Sequence, residues 1–224
     1  MQACWVLINL TVHPEWREKC KKEIKALFSC HLSSSTSSAT LNEKLATIPV
    51  SAWEDELPIL DACIRESQRM TMAGLALRRN LHGEMRIGGC VVRRGDFLGY
   101  SLRDVHLNPR YYPEPNKYDP SRWLQSDPVS TATPPFFGWG TGRHACTGVK
   151  VAKLEMKLIS VVFLTRYEYE LVDKDGRFPD PLPVPNRNDL HRVCGVADLV
   201  FRLGAHRVSC LFCLGSPSWA YMLL

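Results

Sequence analysis

The sequence has little of three things: long apolar runs, clustered positive charge and regularly spaced cysteine. The opening segment is apolar for only about ten residues before His13, whereas a membrane-spanning helix needs roughly 20, so we expect a buried helix there. This segment also has no basic start of the kind found in a secretory leader. The formal net charge of +5 comes from dispersed Lys and Arg, which gives no support to nucleic-acid binding. Nine cysteines at irregular spacings indicate a reducing compartment instead of a disulfide framework.

The patterns that are present predict a mainly α fold with small β-hairpins, an α+β architecture. Apolar residues recur at helical spacing after Pro14, over 55–70 and after Cys146, which predicts three amphipathic helices. A hydrophobic content of 45% is enough for a buried core. Turn residues between short apolar segments predict hairpins at Gly88 with Gly89 and at Gly95 with Asp96.

Loops and one further strand complete this prediction. The Ser-rich stretch 29–40 predicts a flexible loop, and seven prolines between 108 and 135 exclude regular structure. Alternation over 167–171 before a turn at 175–176 predicts a terminal hairpin. The helix after Cys146 is expected to turn an apolar stripe away from its lysines. The stripe is Val151, Leu154, Leu158 and Val162, and the lysines are Lys150, Lys153 and Lys157.

The segment WGTGRHACTG at 139–148 carries the most specific chemical signal. A glycine-rich bend delivers Cys146 to the beginning of a helix, where free N–H groups and the helix dipole stabilise a thiolate. Gly140 and Gly142 allow a tight turn and the close approach of a flat macrocycle. Such a thiolate is a candidate axial ligand for haem iron, and a buried structural thiol is the alternative.

This segment resembles the haem-binding signature of cytochromes P450, in the FGxGRHxCxG variant of sterol-demethylase-like members. The resemblance makes Cys146 the axial ligand of the iron and Trp139 the aromatic shield of its sulfur. It assigns a haem propionate to His144 or to the adjacent Arg143. The glycines of the signature are Gly140, Gly142 and Gly148.

Two further motifs follow the same family order. Glu66 and Arg69 lie three apart in IRESQRM, and DPSRW resembles a family segment that supplies Arg122 as a third partner. The resemblance implies a buried carboxylate held by two cations, whereas Glu66 and Arg69 alone predict only an ordinary exposed pair. In LALRRNL, Arg79 or its neighbour Arg78 is assigned to a propionate, with solvated arginines as the alternative, and 73–77 to substrate. His106 is expected to be a structural hydrogen-bonding residue and not a ligand.

The resemblance implies a fold, a cofactor and partners. It covers 1–192 as the C-terminal, proximal haem-binding half of a P450 domain, and leaves 193–224 as an atypical tail. It implies a monooxygenase with haem b that acts on a small hydrophobic organic substrate of sterol or secondary-metabolite type. It also implies a flavin-containing NADPH reductase as electron donor. Lys150 and Lys153 would dock this reductase, and a solvated helix face is the alternative role for both. The full-length relative is expected on the cytoplasmic face of the endoplasmic reticulum membrane, anchored by a segment outside this chain.

Two alternatives stay open at this point. The acid and threonine of the family's distal helix are expected upstream of Met1, so this chain alone is expected to bind haem weakly and not to turn over. It would then be a truncated, non-catalytic haem-binding fragment. A zinc-stabilised interaction module is the other alternative, with ligands drawn from the tail: His206, Cys210 and Cys213, with Cys194 or His191 as a fourth.

Overall fold

The structure is a computed structural model that describes residues 2–32, 40–72, 74–124, 135–173, 175–185, 193–194, 197–203 and 206–210. Its helices are α1 (Gln2–Val12), α2 (Pro14–His31), α3 (Leu41–Thr47), α4 (Val50–Asp55), α5 (Pro58–Thr71), α6 (Leu102–His106) and α7 (Val149–Arg166). Its strands are β1 (Leu75–Arg79), β2 (Met85–Ile87), β3 (Cys90–Val92), β4 (Phe97–Ser101), β5 (Glu168–Asp173), β6 (Val184–Pro185), β7 (Val193–Cys194), β8 (Ala197–Leu203) and β9 (His206–Cys210). The predicted mixture of helices and small hairpins is confirmed.

The core lies where α1, α2, α5 and α7 meet. Helix α1 is buried almost all round, as expected from its apolar sequence, and Val6 and Leu10 have no exposed surface. Helix α2 turns one amphipathic face to α1 and α5, and that face is formed by Trp16, Cys20, Ile24 and Leu27. Among the described residues, no helix combines the length and the hydropathy that crossing a membrane requires.

Helix α5 begins later than the sequence indicated. The predicted helix over 55–70 starts at Pro58, because Asp55 is the last residue of the separate short helix α4. The carboxylate of Glu23 on α2 accepts hydrogen bonds from the N–H groups of Ile59 (2.7 Å) and Leu60 (2.9 Å). Helix α2 therefore supplies the acceptors that the first turn of α5 lacks.

The loop predicted over 29–40 is wrong at its beginning, since Ser29 to His31 form the last turn of α2. Residues 33–39 lie outside the described part of the chain. Thr40 caps α3 with a reciprocal capping box, in which its hydroxyl accepts from Glu43 N–H and Glu43 accepts from Thr40 N–H. The Thr-x-x-Glu spacing was readable in the sequence, and it marks a helix that the periodicity of apolar residues did not predict.

The sheets are small and antiparallel, and two of the predicted turns join different partners than expected. Gly88 and Gly89 both have positive φ and connect β2 to β3, as predicted. The turn at Gly95 leads into β4, but β4 pairs with β1. Strand β5 pairs with β8, which belongs to the tail, and β8 pairs with β9. The prediction that β5 pairs across the 175–176 turn is therefore wrong.

The buried face of α7 differs from the predicted stripe. Val151 is 71% exposed, whereas Lys157 is only 2% exposed. The Lys157 ammonium donates to the carbonyl oxygens of Trp53 (2.9 Å) and Glu54 (3.1 Å) and lies 3.4 Å from an Asp61 carboxylate oxygen. The sequence prediction placed this lysine outside the core, because a buried charge is costly unless it is paired and hydrogen-bonded. The structure supplies both kinds of partner.

The burial of Lys157 predicts that substitution by alanine lowers the free energy of unfolding far more at this position than at Lys150 on the same helix. We expect Lys157→Ala to lower the free energy of unfolding by about 1–3 kcal/mol, because two buried carbonyl groups lose their donor. Lys150→Ala is the matched control: its side chain is 82% exposed and its partner Glu54 lies 3.4 Å away, so we expect a loss below about 1 kcal/mol. Urea unfolding followed by tryptophan fluorescence measures both. Equal losses would contradict the burial of Lys157.

Candidate functional site

The cysteine loop, residues 136–148, is held by its own backbone. The Cys146 N–H donates to the Trp139 carbonyl at 2.7 Å, and the Gly140 N–H donates to the Phe137 carbonyl at 3.0 Å. A single 3-10 turn at Gly142–His144 lies between them. The thiol is exposed, and it precedes the first residue of α7, Val149, by three positions. The expected bend is present, but Cys146 lies before the first helical turn instead of in it.

The two glycines before Cys146 have different roles. Gly140 (φ 71°) and Gly142 (φ 60°) both adopt the left-handed conformation, which costs a residue with a Cβ atom. A Cβ on Gly140 would lie 2.8 Å from the His144 carbonyl oxygen, whereas one on Gly142 would meet nothing within 4 Å. The close approach inside the loop thus requires glycine at position 140.

The Cys146 thiol borders a cleft of about 480 Å³ between the cysteine loop and three helices. Its walls are mostly apolar and come from α1, the end of α5 and one side of α7. They include Ala3, Cys4, Leu7, Gln68, Met72, Trp139, Ala152, Met156, Ile159 and Phe163. An accessible soft sulfur beside an apolar cleft fits a flat apolar macrocycle that is ligated on one face.

Behind the cysteine loop, an ion cluster of Glu66, Arg69 and Arg122 joins α5 to the meander, residues 108–124. Glu66 and Arg69 have no exposed surface. Arg69 Nε and Nη2 donate to the two Glu66 oxygens at 2.9 and 2.8 Å, and Arg122 Nε lies 3.5 Å from Oε1 as an ion pair. The structure brings together the three residues that the motifs picked out.

The carboxylate of Glu66 has further donors that the sequence motifs did not indicate. The Asp119 N–H donates to Oε1 at 3.1 Å and the Trp123 indole N–H donates to Oε2 at 2.9 Å. The Arg65 guanidinium lies over the Trp123 ring, 4.1 Å from its centroid. The one signal in the sequence was the tryptophan directly after Arg122 in DPSRW.

His106 connects the ion cluster to the cysteine loop. Arg69 Nη1 donates to the His106 carbonyl at 2.7 Å, and the Phe137 N–H donates to His106 Nε2 at 2.9 Å. The imidazole is fully buried and stacks on Phe136 at 5.3 Å. Burial, and secondarily the charge of Arg69, lowers the pKa of His106 to about 4, so the ring is neutral near pH 7. The expected structural hydrogen-bonding role is confirmed.

The structure does not bring the predicted propionate partners to the cleft. Arg79 is exposed at the end of β1, where its Nε donates to the Gly95 carbonyl at 3.4 Å, and Arg78 donates to the Leu77 carbonyl. Arg143 and His144 are exposed in the 3-10 turn. In the described part of the chain, none of these four side chains lines the cleft. Their roles stay predictions.

The zinc alternative stays a prediction. Cys213 and His191 lie outside the described part of the chain, and Cys194, His206 and Cys210 belong to β7 and β9. Within 2–185, apart from the gaps given above, no group of three or more His, Cys, Asp or Glu side chains is arranged to hold a metal ion.

Comparisons with known proteins agree with this geometry. The family model described as Cytochrome P450 matches residues 1–187. Cytochrome P450 monooxygenase AacuE of Aspergillus aculeatus is 36% identical over 75% of this chain and 34% of its own length. Cytochrome P450 monooxygenase nsrP of Aspergillus novofumigatus is 33% identical over 78% of this chain and 34% of its own length. The structure of retinoic acid bound cyanobacterial CYP120A1 matches with a TM-score of 0.58 and 24% identity, over 77% of this chain and 37% of that one. The chain thus spans about a third of the length of these curated relatives.

The ion cluster predicts that one neutralising substitution destabilises the fold strongly. We expect Glu66→Gln to cost about 3–5 kcal/mol of unfolding free energy, because two cations lose their buried counter-charge. Glu114→Gln is the control, since Glu114 is 74% exposed and pairs with Lys117 at 3.6 Å, and its loss should stay below about 1 kcal/mol. Denaturant titration of both variants gives the comparison. A Glu66→Gln variant as stable as the control would show that the cluster is not formed.

The two loop glycines predict unequal effects of the same substitution. Both Gly140→Ala and Gly142→Ala should cost about 1–2 kcal/mol because alanine enters the left-handed region. Gly140→Ala should cost at least ~1 kcal/mol more, since its Cβ would press on the His144 carbonyl at 2.8 Å. Thermal unfolding of the two variants measures the difference. If Gly142→Ala is the more damaging, the loop has another conformation.

Proposed function

Since the chain belongs to the cytochrome P450 family, we propose that it is the proximal part of a haem-thiolate monooxygenase, with Cys146 as the axial ligand of haem b. The observation that carries this proposal is the exposed Cys146 thiol beside an apolar cleft of about 480 Å³. A structural cysteine is usually buried and inert, whereas this one is presented to open space by a loop closed with backbone hydrogen bonds.

Bound haem b would supply the activation of dioxygen, because a thiolate ligand donates electron density that favours O–O cleavage. The residues of this chain would hold and shield it. The loop fixes the backbone position of Cys146, and half-buried Trp139 lines the cleft beside it. Arg143 and His144 are exposed hydrogen-bond donors three and two positions before Cys146, and the chemistry of their side chains suits a propionate. Apolar side chains of α1 and α7 would keep water away from the iron.

We propose a small hydrophobic organic substrate, of sterol or secondary-metabolite type. The two-stranded sheet of β1 and β4 supports this, because it exposes large apolar side chains in the segment assigned to substrate, 73–77, and on the paired strand β4. Leu75 is 59% exposed, Leu77 55%, Phe97 66% and Tyr100 45%. Apolar surface left open in this way is typical of a binding site.

The proposed redox partner is a flavin-containing NADPH reductase, and the proposed location of the full-length protein is the cytoplasmic face of the endoplasmic reticulum membrane. The two lysines for which docking of the reductase and a solvated helix face were the alternatives have acidic neighbours in this chain. Lys150 lies 3.4 Å from Glu54 and Lys153 lies 3.5 Å from Asp61. Because these acids offset the positive charge of α7, the solvated-face alternative is the better supported for both lysines.

The chain covers about a third of its relatives, so the monooxygenase activity of the whole protein is part of the proposal. A second candidate is a haem-binding module without turnover, and the exposure of Cys146 favours it. One face of a macrocycle at this position would stay in contact with water. Each Å² of apolar surface left wet would weaken haem binding by roughly 25 cal/mol. Oxygenation of a lipophilic probe by the haem-loaded chain with reductase separates the two candidates.

The proposal predicts that one cysteine determines the spectrum. We expect the 224-residue chain titrated with haem to show, after reduction and addition of carbon monoxide, the long-wavelength Soret band of thiolate ligation. Cys146→Ala should abolish this band, whereas Cys30→Ala, which removes another exposed cysteine, should keep it. After unbound haem has been removed by gel filtration, metal analysis of the same samples should find iron. An unchanged band in Cys146→Ala, or zinc without iron, would refute the assignment.

A further inference from the structure

We propose that His106 is a positioning residue for the cysteine loop, which it holds in place by accepting a hydrogen bond from the Phe137 N–H. This inference rests on the proposed function, because it assigns His106 a purpose in presenting Cys146. It goes beyond the structural role expected from the sequence in naming the bond, the tautomer and the loop that depends on them.

The geometry defines the protonation state of the ring. The Phe137 backbone N–H can only donate, and it lies 2.9 Å from His106 Nε2, so Nε2 carries no proton. The proton of the neutral ring is therefore on Nδ1. This atom is buried and has no hydrogen-bond partner among the described residues.

An unpartnered buried N–H argues that the ring is present for its other nitrogen. Leaving a polar group buried without a partner is unfavourable, and an apolar side chain of similar size would fill the space without that cost. The imidazole is nevertheless fully buried, stacked on Phe136 at 5.3 Å with an interplanar angle of 19°. The contact that an apolar side chain would not provide is the acceptor for Phe137.

The hydrogen bond from the Phe137 N–H to His106 Nε2 holds the beginning of the cysteine loop. The His106 carbonyl is itself fixed by Arg69 Nη1 at 2.7 Å, so the ring is anchored to the ion cluster. The Phe137 carbonyl accepts from Gly140, and the Trp139 carbonyl accepts from Cys146 at 2.7 Å. A short series of hydrogen bonds therefore runs from the buried cluster to the residue that carries the thiol.

The test compares side chains that keep or lose an acceptor at the Nε2 position. His106→Gln places an amide oxygen near that position, whereas the shorter His106→Asn does not reach it and His106→Leu has no acceptor. Tyr118→Phe is the control for general destabilisation, because it removes a buried hydrogen bond to the Cys63 carbonyl (3.2 Å) away from the cysteine loop. All variants are made in the full 224-residue chain.

The first readout needs no haem. Amide hydrogen exchange at Phe137, relative to the core amide of Ile64, should rise about tenfold or more in His106→Leu and His106→Asn and return to within about twofold of the unmodified chain in His106→Gln. Tyr118→Phe should leave this ratio unchanged. Equal ratios in His106→Leu and the unmodified chain, or equal ratios in the Gln and Asn variants, would overturn the proposal. If His106→Leu does not fold, the Gln and Asn pair decides.

The second readout is the reduced carbon monoxide spectrum. We expect a smaller fraction of the long-wavelength Soret band in His106→Asn than in His106→Gln at equal bound haem, because the loop presents the sulfur less uniformly. If the unmodified chain shows no such band, the proposed function fails, while the exchange ratios still decide whether His106 holds the loop.

Discussion

The Glu66 carboxylate lies in the protein interior with no exposed surface, and the described fold is arranged around satisfying it. A carboxylate taken out of water costs several kcal/mol unless cations and hydrogen-bond donors surround it. Here two donors come from Arg69 on the same helix, and two more come from the backbone of Asp119 and the indole of Trp123 in the meander. Since the two pairs of donors belong to segments about 50 residues apart, the charge is tolerated only when α5 and the meander are correctly packed.

From this cluster the constraint passes to the cysteine loop. Arg69 holds the His106 backbone, and the His106 ring holds the Phe137 backbone at the beginning of the loop. Gly140 then makes a turn that a side chain would obstruct. These directional contacts allow Cys146 to stay exposed, because its backbone is held by hydrogen bonds and does not depend on packing around the thiol itself.

The sequence predicted best those features that depend on local pattern. The spacing of Glu66 and Arg69, the glycines before Cys146 and the amphipathic α2 were all readable, and the structure contains each. The features that the sequence did not predict depend on contacts between residues that are distant along the chain. Lys157 is buried because the carbonyl groups at the end of α4 point at it, and α4 has no strong periodic signal. The indole of Trp123 reaches Glu66 across 57 positions, and β5 pairs with a tail strand that no local turn specifies.

Helix α5 links the two ends of the site. Near its first turn, Asp61 lies 3.4 Å from the buried ammonium of Lys157, which fixes α7 after the cysteine loop. Near its last turn, Glu66 and Arg69 fix the meander and, through His106, the beginning of that loop. The loop is thus held on both sides of Cys146 by charged groups on one helix. A shift of α5 along its axis would strain both contacts at once, so the two ends of the loop are coupled through one helix.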